Sequence, residues 1–531
     1  MIAGRLAAVT DGHIRLVEVL GTLSAACDAA DGFAHDTTLR SAVLAASLAN
    51  DVADGDVAFV GDVVVGALLR HIGCTGFAVE EAHRFGAGDD VALRSVMAEV
   101  DFGRPDDAVR IVSERLAADA PGAQREAAVG ALLGDGPLAG QRHDAAQCDA
   151  AERLARLLPV SDAAAAVATD AFERWDGHGG PAGTAGDAIS RVARVVEVAY
   201  VAELFRGRQG RGGAAAELRA RAGGQLDPGL VEIFLEDASQ RFDLVTDPAA
   251  SAWDLLCDAE PAPHARISDA QVDDAALAFA RFSDLKSTWL TGHSEHVAAV
   301  AMAAAEQLGL DVGTRTALRR AGLLHDIGRV GVPTGIWDLP RGLTPHERDR
   351  VRFHAWETDR ILSSTPLFGT VATIAAAAHE REDGSGYHRG RVPEAVDTPA
   401  RLLAAADVWS ALVADRPHRP AVTPSEARDV LAAAVADGHL DRTAVDAVLG
   451  AVDQLALPPA TWPAGLTDRE VEVLGALATG AADKQIAADL GITAKTVAHH
   501  VQHVYDKIGV RSRAGATLFA VEHGLLQRKG R

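Results

Sequence analysis

A chain of 531 residues with a formal net charge of −23 suits about three domains, and an acidic body of this kind does not suit non-specific binding to membrane surfaces. Hydrophobic residues make up 48% and aromatics only 5%, which points to helices packed by Ala, Leu and Val. No apolar segment of 18 or more residues is found, no basic-then-apolar leader opens the chain, and Cys27, Cys74, Cys148 and Cys257 are scattered without a CxxC. Membrane insertion, secretion, disulfide frameworks and zinc-thiolate sites are therefore not expected, and a reducing cytoplasm is.

In chain order, Val57 to Val65 is the only run rich in β-branched residues, so strand signals are nearly absent. Acidic clusters such as Gly88-Asp89-Asp90 read as solvated turns. The Gly/Arg-rich stretch from Arg206 to Gly213, with the Ala/Gly stretch up to Gly224, reads as a mobile loop. Residues 246–267 read as a linker, its end punctuated by prolines.

The chemistry lies in residues 268–456. Its anchor is Gly322-Leu323-Leu324-His325-Asp326-Ile327-Gly328, which places an imidazole beside a carboxylate at the end of an apolar helix. His293, His354 and His379 add imidazoles, and Asp407 adds a carboxylate. Such a set suits Fe, Mn, Zn or Ni, and two such ions a few ångströms apart make a site for phosphoester hydrolysis. Any single histidine of the 20 in the chain reads more simply as a cap or surface residue; the ordered set carries the assignment.

The elements His293-Ser294, His325-Asp326-Ile327-Gly328, Leu343-Thr344, His354 with Ile361-Leu362, His379-Glu380-Arg381-x-Asp383-Gly384-Ser385-Gly386-Tyr387, Ala406-Asp407-Val408 and Asp415-Arg416-Pro417 together resemble the HD superfamily. They are closest to its HD-GYP branch, whose members hydrolyse cyclic di-GMP. The resemblance implies that His293, His325, Asp326 and Asp407 hold one divalent ion. A second ion would share Asp326 and add His354 and His379, with His325 and Asp326 as the catalytic pair. Arg416 and Arg419 match positions that help hold substrate phosphates, and Arg329 replaces the family's lysine, keeping its charge but not its compact ammonium.

The chain also departs from that pattern. Ala378-His379 stands where the family has paired histidines, so the second ion loses a ligand. Tyr387 is followed by His388 rather than Pro, Trp289 replaces an acidic residue that supplies a third metal in some members, and His296 stands where Arg is common. One ion is expected, and a second only with water in place of the missing imidazole, because ligand number sets affinity.

The first half repeats this plan with the ligands erased. Ala67-Leu68-Leu69-Arg70-His71-Ile72-Gly73 parallels Gly322 to Gly328, and Phe172-Glu173-Arg174-Trp175-Asp176-Gly177-His178-Gly179 parallels His379 to Gly386. In both halves an Arg follows the Asp by 18 residues, at Arg194 and Arg401. The ligand positions become Arg70, His71, Phe172 and Tyr200, so this copy is not expected to bind metal, although Arg70 suits an anion. The longer spacing in the first copy places an insertion near residues 88–150.

After a Pro-stiffened connector (457–464), Leu466 to Leu526 reads as four helices. Thr467 and Glu470 form a capping box, Val471, Leu474 and Leu477 follow at helical spacing, and Gly480 is a left-handed stop. A second helix carries Ile486, Ala487 and Leu490 and ends at Gly491. Thr493 then caps a third, whose Val497, Val501, Val504 and Ile508 make one apolar stripe. That stripe leaves Lys495, Ala498, His499, Gln502 and His503 to face DNA, with Gln suited to adenine and the Ala methyl to thymine. Lys484, Thr496, Lys507 and Arg511 suit phosphate contacts. Nine Lys/Arg against seven Asp/Glu from Leu466 onward make this tail +2 on a chain of −23, so the remainder carries −25. Leu466-Thr467-x-Arg469-Glu470, Lys484-x-Ile486-Ala487, Lys495-Thr496-Val497 and Lys507-Ile508-Gly509-Val510 resemble the LuxR-type (GerE-like) output domain of bacterial transcription regulators. That resemblance implies binding to double-stranded DNA as a homodimer.

The fold expected is all-α: tandem HD-type helical bundles at 1–245 and 268–456, then a four-helix LuxR-type helix-turn-helix domain at 465–531. The function expected is a cytoplasmic transcription regulator whose second bundle takes metal and a cyclic dinucleotide or other phosphorylated ligand as its signal. The alternatives are an active phosphodiesterase with a DNA-binding tail, and an inert scaffold for partner proteins.

Overall fold

The computed structural model describes residues 14–247, 250–390, 396–453 and 462–526. The expected connector at 457–464 lies mostly outside these residues, as does Lys529 of the tail. The architecture is helical. Among the described residues the only strands are Ile14–Arg15 and Arg266–Ile267, paired antiparallel with Ile14 opposite Ile267. The chain divides into two compact units, residues 1–278 with 364–367 and residues 279–363 with 368–531.

In the first unit the helices Leu16–Ala30, Thr37–Val52, Val57–Leu69, Asp162–Asp170 and Arg191–Arg221 bury a core of Leu, Val and Ala. The β-branched run at Val57 is helical. Asp56 caps it by accepting from Phe59 N at 3.1 Å, and Val60, Val63 and Val64 are buried, so packing outweighs local propensity. The expectation of no long apolar segment needs correction: the stretch Val57–Phe85 is long and apolar enough by composition to cross a membrane, with 61% of its most apolar window buried. Its first α-helix stops at Leu69 and short turns follow, which fits a core element. Residues 88–150 contain the helices Asp90–Met97, Pro105–Arg115 and most of Gly122–Ala155, with a core of their own around Phe77, Phe85, Leu93, Val112 and Leu116.

Three other readings are overturned. The expected mobile loop at 206–224 is largely the end of the helix Arg191–Arg221, bent at Gly210 (φ 74°). Ala214 and Leu218 bury one face there, and Arg221 pairs with Glu217 one turn away at 3.2 Å, so its glycines are outweighed. The linker at 246–267 holds the helix Ala252–Ala259 and the paired strand Arg266–Ile267, with Arg15 donating to Glu260 at 2.8 Å. Asp90 is fully buried rather than solvated, because Arg94 reaches it at 3.1 Å.

In the second unit, His293–Gln307 packs against Val312–Leu324, Thr398–Leu412 and Arg442–Val452, and Pro345–Leu362 lies across the turn Ile327–Gly331. Gly328 permits that approach, since a Cβ there would fall against His354 O and Thr358 N. The final bundle comprises Asp468–Ala478, Asp483–Leu490, Ala494–Ile508 and Arg513–Glu522 around Val471, Leu474, Ile486, Val497, Val504 and Phe519. The Thr467–Glu470 capping box, the left-handed Gly480, Gly491 and Gly509, and the Thr493 cap all form.

Candidate metal centre and nucleic-acid interface

Each imidazole of the second unit is delivered by a helix end or turn. Gly292 (φ 70°) opens the helix that His293 begins, and Asp284 fixes that start by accepting from Ser294 N at 3.0 Å and Ser294 Oγ at 2.8 Å. His325 closes Val312–Leu324, and its Nδ1 is 2.9 Å from Gly322 O. His354 Nδ1 is 2.5 Å from Val351 O. A carbonyl only accepts, so both rings carry their proton on Nδ1 and turn a bare Nε2 inward.

Those nitrogens converge on Asp326, which is fully buried. His325 Nε2 lies 3.1 Å from Oδ2, and His354 and His379 Nε2 lie 2.9 and 3.1 Å from Oδ1. His293 Nε2 is 3.2 Å from Asp407 Oδ1 and 3.8 Å from Asp326 Oδ2. Two sets result, His293/His325/Asp326 and Asp326/His354/His379, each with its ligand atoms within 4.8 Å of one another and with Asp326 in common. The buried Nε2 atoms of His293 and His325 have no hydrogen-bond partner. Lone pairs aimed at carboxylate oxygens in a dry site repel unless a cation stands between them, so the donor set fits a divalent metal.

The electrostatics agree. Burial pushes His293 down to about 3 and His379 down to about 4, and it drives His354 well below the ordinary imidazole value, so these rings are neutral at pH 7. Burial alone would raise Asp407, but the adjoining His293 and His325 hold it well below the carboxylate range. Tyr387 stacks on His379, with ring centres 5.1 Å apart and planes 9° apart, and Trp337 meets His354 edge-on at 5.7 Å.

The three arginines expected to bind phosphate separate. Arg329 is buried, pairs with Asp326 Oδ2 and lies 5.1 Å over the Trp337 ring, so it faces the shared carboxylate rather than open space. Arg416 remains at the site: Nη1 donates to Trp289 O at 3.1 Å and Nη2 lies 3.5 Å from His293 Nδ1. Arg419 turns away to cap Thr398–Leu412, donating to Ala411 O at 2.5 Å and Leu412 O at 3.2 Å. Sequence reasoning missed Asp284 and Trp337. For Asp284 a signal existed, because an acid ten residues before a hydroxyl also occurs in the first unit.

There Asp28 accepts from Thr38 N at 3.1 Å and from Thr38 Oγ1 at 2.6 Å, the same pattern as Asp284 with Ser294. Thr37 thus stands in the place of His293. Arg70 donates to Glu197 at 2.7 Å and lies 3.6 Å over Tyr200. Its charge is met within the protein, against the expectation that it serves an anion. His71 reaches Asp31 at 2.6 Å.

On the final bundle, Lys484, Lys495, Thr496, Ala498, His499, Gln502, His503 and Arg511 are all exposed. The rings of His499 and His503 lie 4.1 Å apart, and Gln502 Nε2 donates to Asp506 at 2.9 Å. Lys507 differs from the rest: Nζ donates to Glu470 at 2.7 Å and Gly465 O at 3.0 Å, which ties the third helix to the capping box.

Comparison with known proteins identifies two domains. The HD domain model matches residues 279–444, and the model of bacterial regulatory proteins, luxR family, matches residues 464–520. The chain is 36% identical over 219 residues to the 3'3'-cGAMP-specific phosphodiesterase 3 of Vibrio cholerae, covering 41% of this chain and 48% of that protein. It is 37% identical over 164 residues to the cyclic di-GMP phosphodiesterase response regulator RpfG of Xanthomonas campestris, covering 30% and 43%. The chain spans about half the length of the curated relatives it matches. Its structure is similar to that of a cyclic GMP-AMP-specific phosphodiesterase of Vibrio cholerae, V-cGAP3, with a TM-score of 0.57 and 25% identity over 84% of this chain and 99% of that one. Residues 279–444 are therefore an HD domain, and residues 464–520 a DNA-binding domain of the LuxR family.

Proposed function

We propose that this protein is a DNA-binding transcription regulator whose HD domain holds divalent metal and takes a cyclic dinucleotide, or a related phosphorylated ligand, as its signal. One observation carries the reading: two ligand sets share the buried Asp326, and the Nε2 atoms of His293 and His325 have no other partner. His293, His325, Asp326 and Asp407 would hold one ion; His354 and His379, with Asp326, would hold a second. Bound metal polarises a phosphoryl oxygen and lowers the pKa of a water. The chain's own groups do the rest. Asp284 and the Gly322 and Val351 carbonyls orient the imidazoles, Tyr387 and Trp337 wall the site from water, and Arg416 offers a guanidinium to a phosphate.

The first unit repeats the geometry of Asp284 and Ser294 but carries Arg70, His71, Phe172 and Tyr200 at ligand positions, with Thr37 in the place of His293, so we assign it as a degenerate HD copy that binds no metal. The exposed face of Ala494–Ile508 reads DNA, and the protein acts as a cytoplasmic homodimer with one such face from each copy. An active phosphodiesterase is the second reading, favoured by the phosphodiesterase names of the relatives. The decisive test on the purified full chain combines metal analysis with hydrolysis of 3'3'-cGAMP and cyclic di-GMP. Metal without turnover supports the regulator, turnover abolished by Asp326→Ala supports the enzyme, and neither metal nor turnover removes both.

A further inference from the structure

The turn between Thr288 and Gly292 is shared by two surfaces. On one side it leads into His293, and Arg416 grips it through Trp289 O at 3.1 Å. On the other side it carries the DNA-binding bundle. Thr291 Oγ1 is 3.3 Å from Ala478 O, and a Cβ on Gly292 would come within 3.2 Å of Leu526 Cδ1. A Cβ on Gly480 would run into the Thr288 side chain. Arg281 completes the junction: its Nε donates to Glu295, on the first turn after His293, at 2.8 Å, and its Nη1 to Glu522 at 3.4 Å.

The helix Arg513–Glu522 is buried on two sides. Ala516, Phe519 and Ala520 belong to the core of its own bundle. Thr517 and Leu518, also buried, line a small cavity with Val521 against Arg281, Asp284, Leu285, Thr291 and Gly292 of the HD domain. Asp284 therefore touches both sides, since it also fixes Ser294 beside His293. The reading face of Ala494–Ile508 stays exposed in this arrangement. Docking thus sets the orientation of the bundle without covering the residues that meet DNA.

We propose that the outer face of Arg513–Glu522 is a docking surface for the HD domain, and that the turn Thr288–Gly292 couples this docking to ligand at Arg416. A phosphate that draws the Arg416 guanidinium inward removes its hydrogen bond to Trp289 O, loosens the turn and releases the bundle. A ligand can shift such an equilibrium only through a contact that differs between the two states, and the Arg416–Trp289 bond is that contact. This inference rests on the reading of the HD domain as a ligand site.

Amide hydrogen exchange on the full chain tests it, with Mn2+ alone and with Mn2+ plus 3'3'-cGAMP or cyclic di-GMP, alongside separate measurements of metal content and nucleotide binding. Exchange in Arg513–Glu522 is expected to accelerate severalfold with nucleotide. Glu522→Arg, at a partly exposed position that repels Arg281, is expected to show the fast exchange without ligand and to lose the response, with wild-type metal content. Nucleotide bound without a change in exchange overturns the coupling and leaves the ligand reading intact. Slow exchange and a wild-type response in Glu522→Arg overturn the docking surface. A wild-type chain that takes up neither metal nor nucleotide overturns the ligand reading and the coupling together, while exchange in Glu522→Arg still judges the surface.

Discussion

His354 and His379 meet Nε2 to Nε2 at 2.8 Å, with Asp326 Oδ1 within 3.1 Å of both. His354 Nδ1 donates to a carbonyl, so its Nε2 is a lone pair pointed at another imidazole and a carboxylate. A cation on the second ligand set would resolve that clash, while in the proposed reading His293, His325 and Asp407 would serve the first. His379→Ala is therefore expected to lower metal content by about one ion per chain, and Asp326→Ala to leave none, because losing a ligand costs orders of magnitude in affinity. Metal analysis after dialysis reads both. Equal content in wild type and Asp326→Ala would refute the shared carboxylate.

Gly328→Ala tests how the site is assembled. The added methyl would meet backbone atoms of His354 and Thr358, and Gly328 N already donates to Thr358 Oγ1 at 3.0 Å. The helix Pro345–Leu362 has to shift, at a cost of about 1–3 kcal/mol for overpacking. His354 would move with it. The expected result is a lower Tm together with loss of the second ion but not the first. An unchanged Tm and full metal content would mean that the approach is less tight than it looks.

The histidine cluster around Asp326 and the final bundle were legible in the sequence because each rests on short, ordered signals. His325-Asp326 marks a helix end, and Thr467 with Glu470 announces a capping box that forms as read. The helical content of the first unit was legible, yet its details were not. Val57–Val65 looks like a strand and is a helix, since burial of Val60, Val63 and Val64 is a tertiary effect. Arg206–Gly213 looks like a loop, since nothing local says that Ala214 and Leu218 will be buried. The arginines misled for a related reason. A guanidinium reaches far, and only the fold decides whether Arg329 meets Asp326 or a ligand, and whether Arg419 caps a helix.

Glu470 gives a pH dependence with a definite sign. Burial alone would raise its pKa, but the Lys507 ammonium and the Thr467 hydrogen bonds prevail and hold it down to about 2, below its ordinary 4.5. A depressed carboxylate contributes stability that is complete above pH 4.5 and is lost as pH falls through the window from 4.5 to 2. Thermal unfolding of the full chain should show a gap between wild type and Glu470→Gln at pH 7 that narrows by pH 3.5. A gap that widens toward acid would contradict the pairing.

The lysines of the tail should divide by role when DNA binding is measured against salt. Lys495 is exposed on the first turn of Ala494–Ile508, where an ammonium can meet a phosphate, so Lys495→Ala should weaken binding on all sequences and reduce the salt slope by about 1. Lys507 is committed to Glu470 and Gly465 O. Lys507→Ala should leave the slope near wild type and lower the stability of the bundle instead. Gln502 is exposed on the same face as His499 and His503, although its amide is shared with Asp506. Gln502→Ala should relax preference at a single base pair, at about 1–3 kcal/mol of discrimination, without altering non-specific affinity. If Lys507→Ala flattens the salt dependence while Lys495→Ala does not, the duplex lies across the capping box rather than along the third helix, and the reading face has been assigned to the wrong side of the bundle.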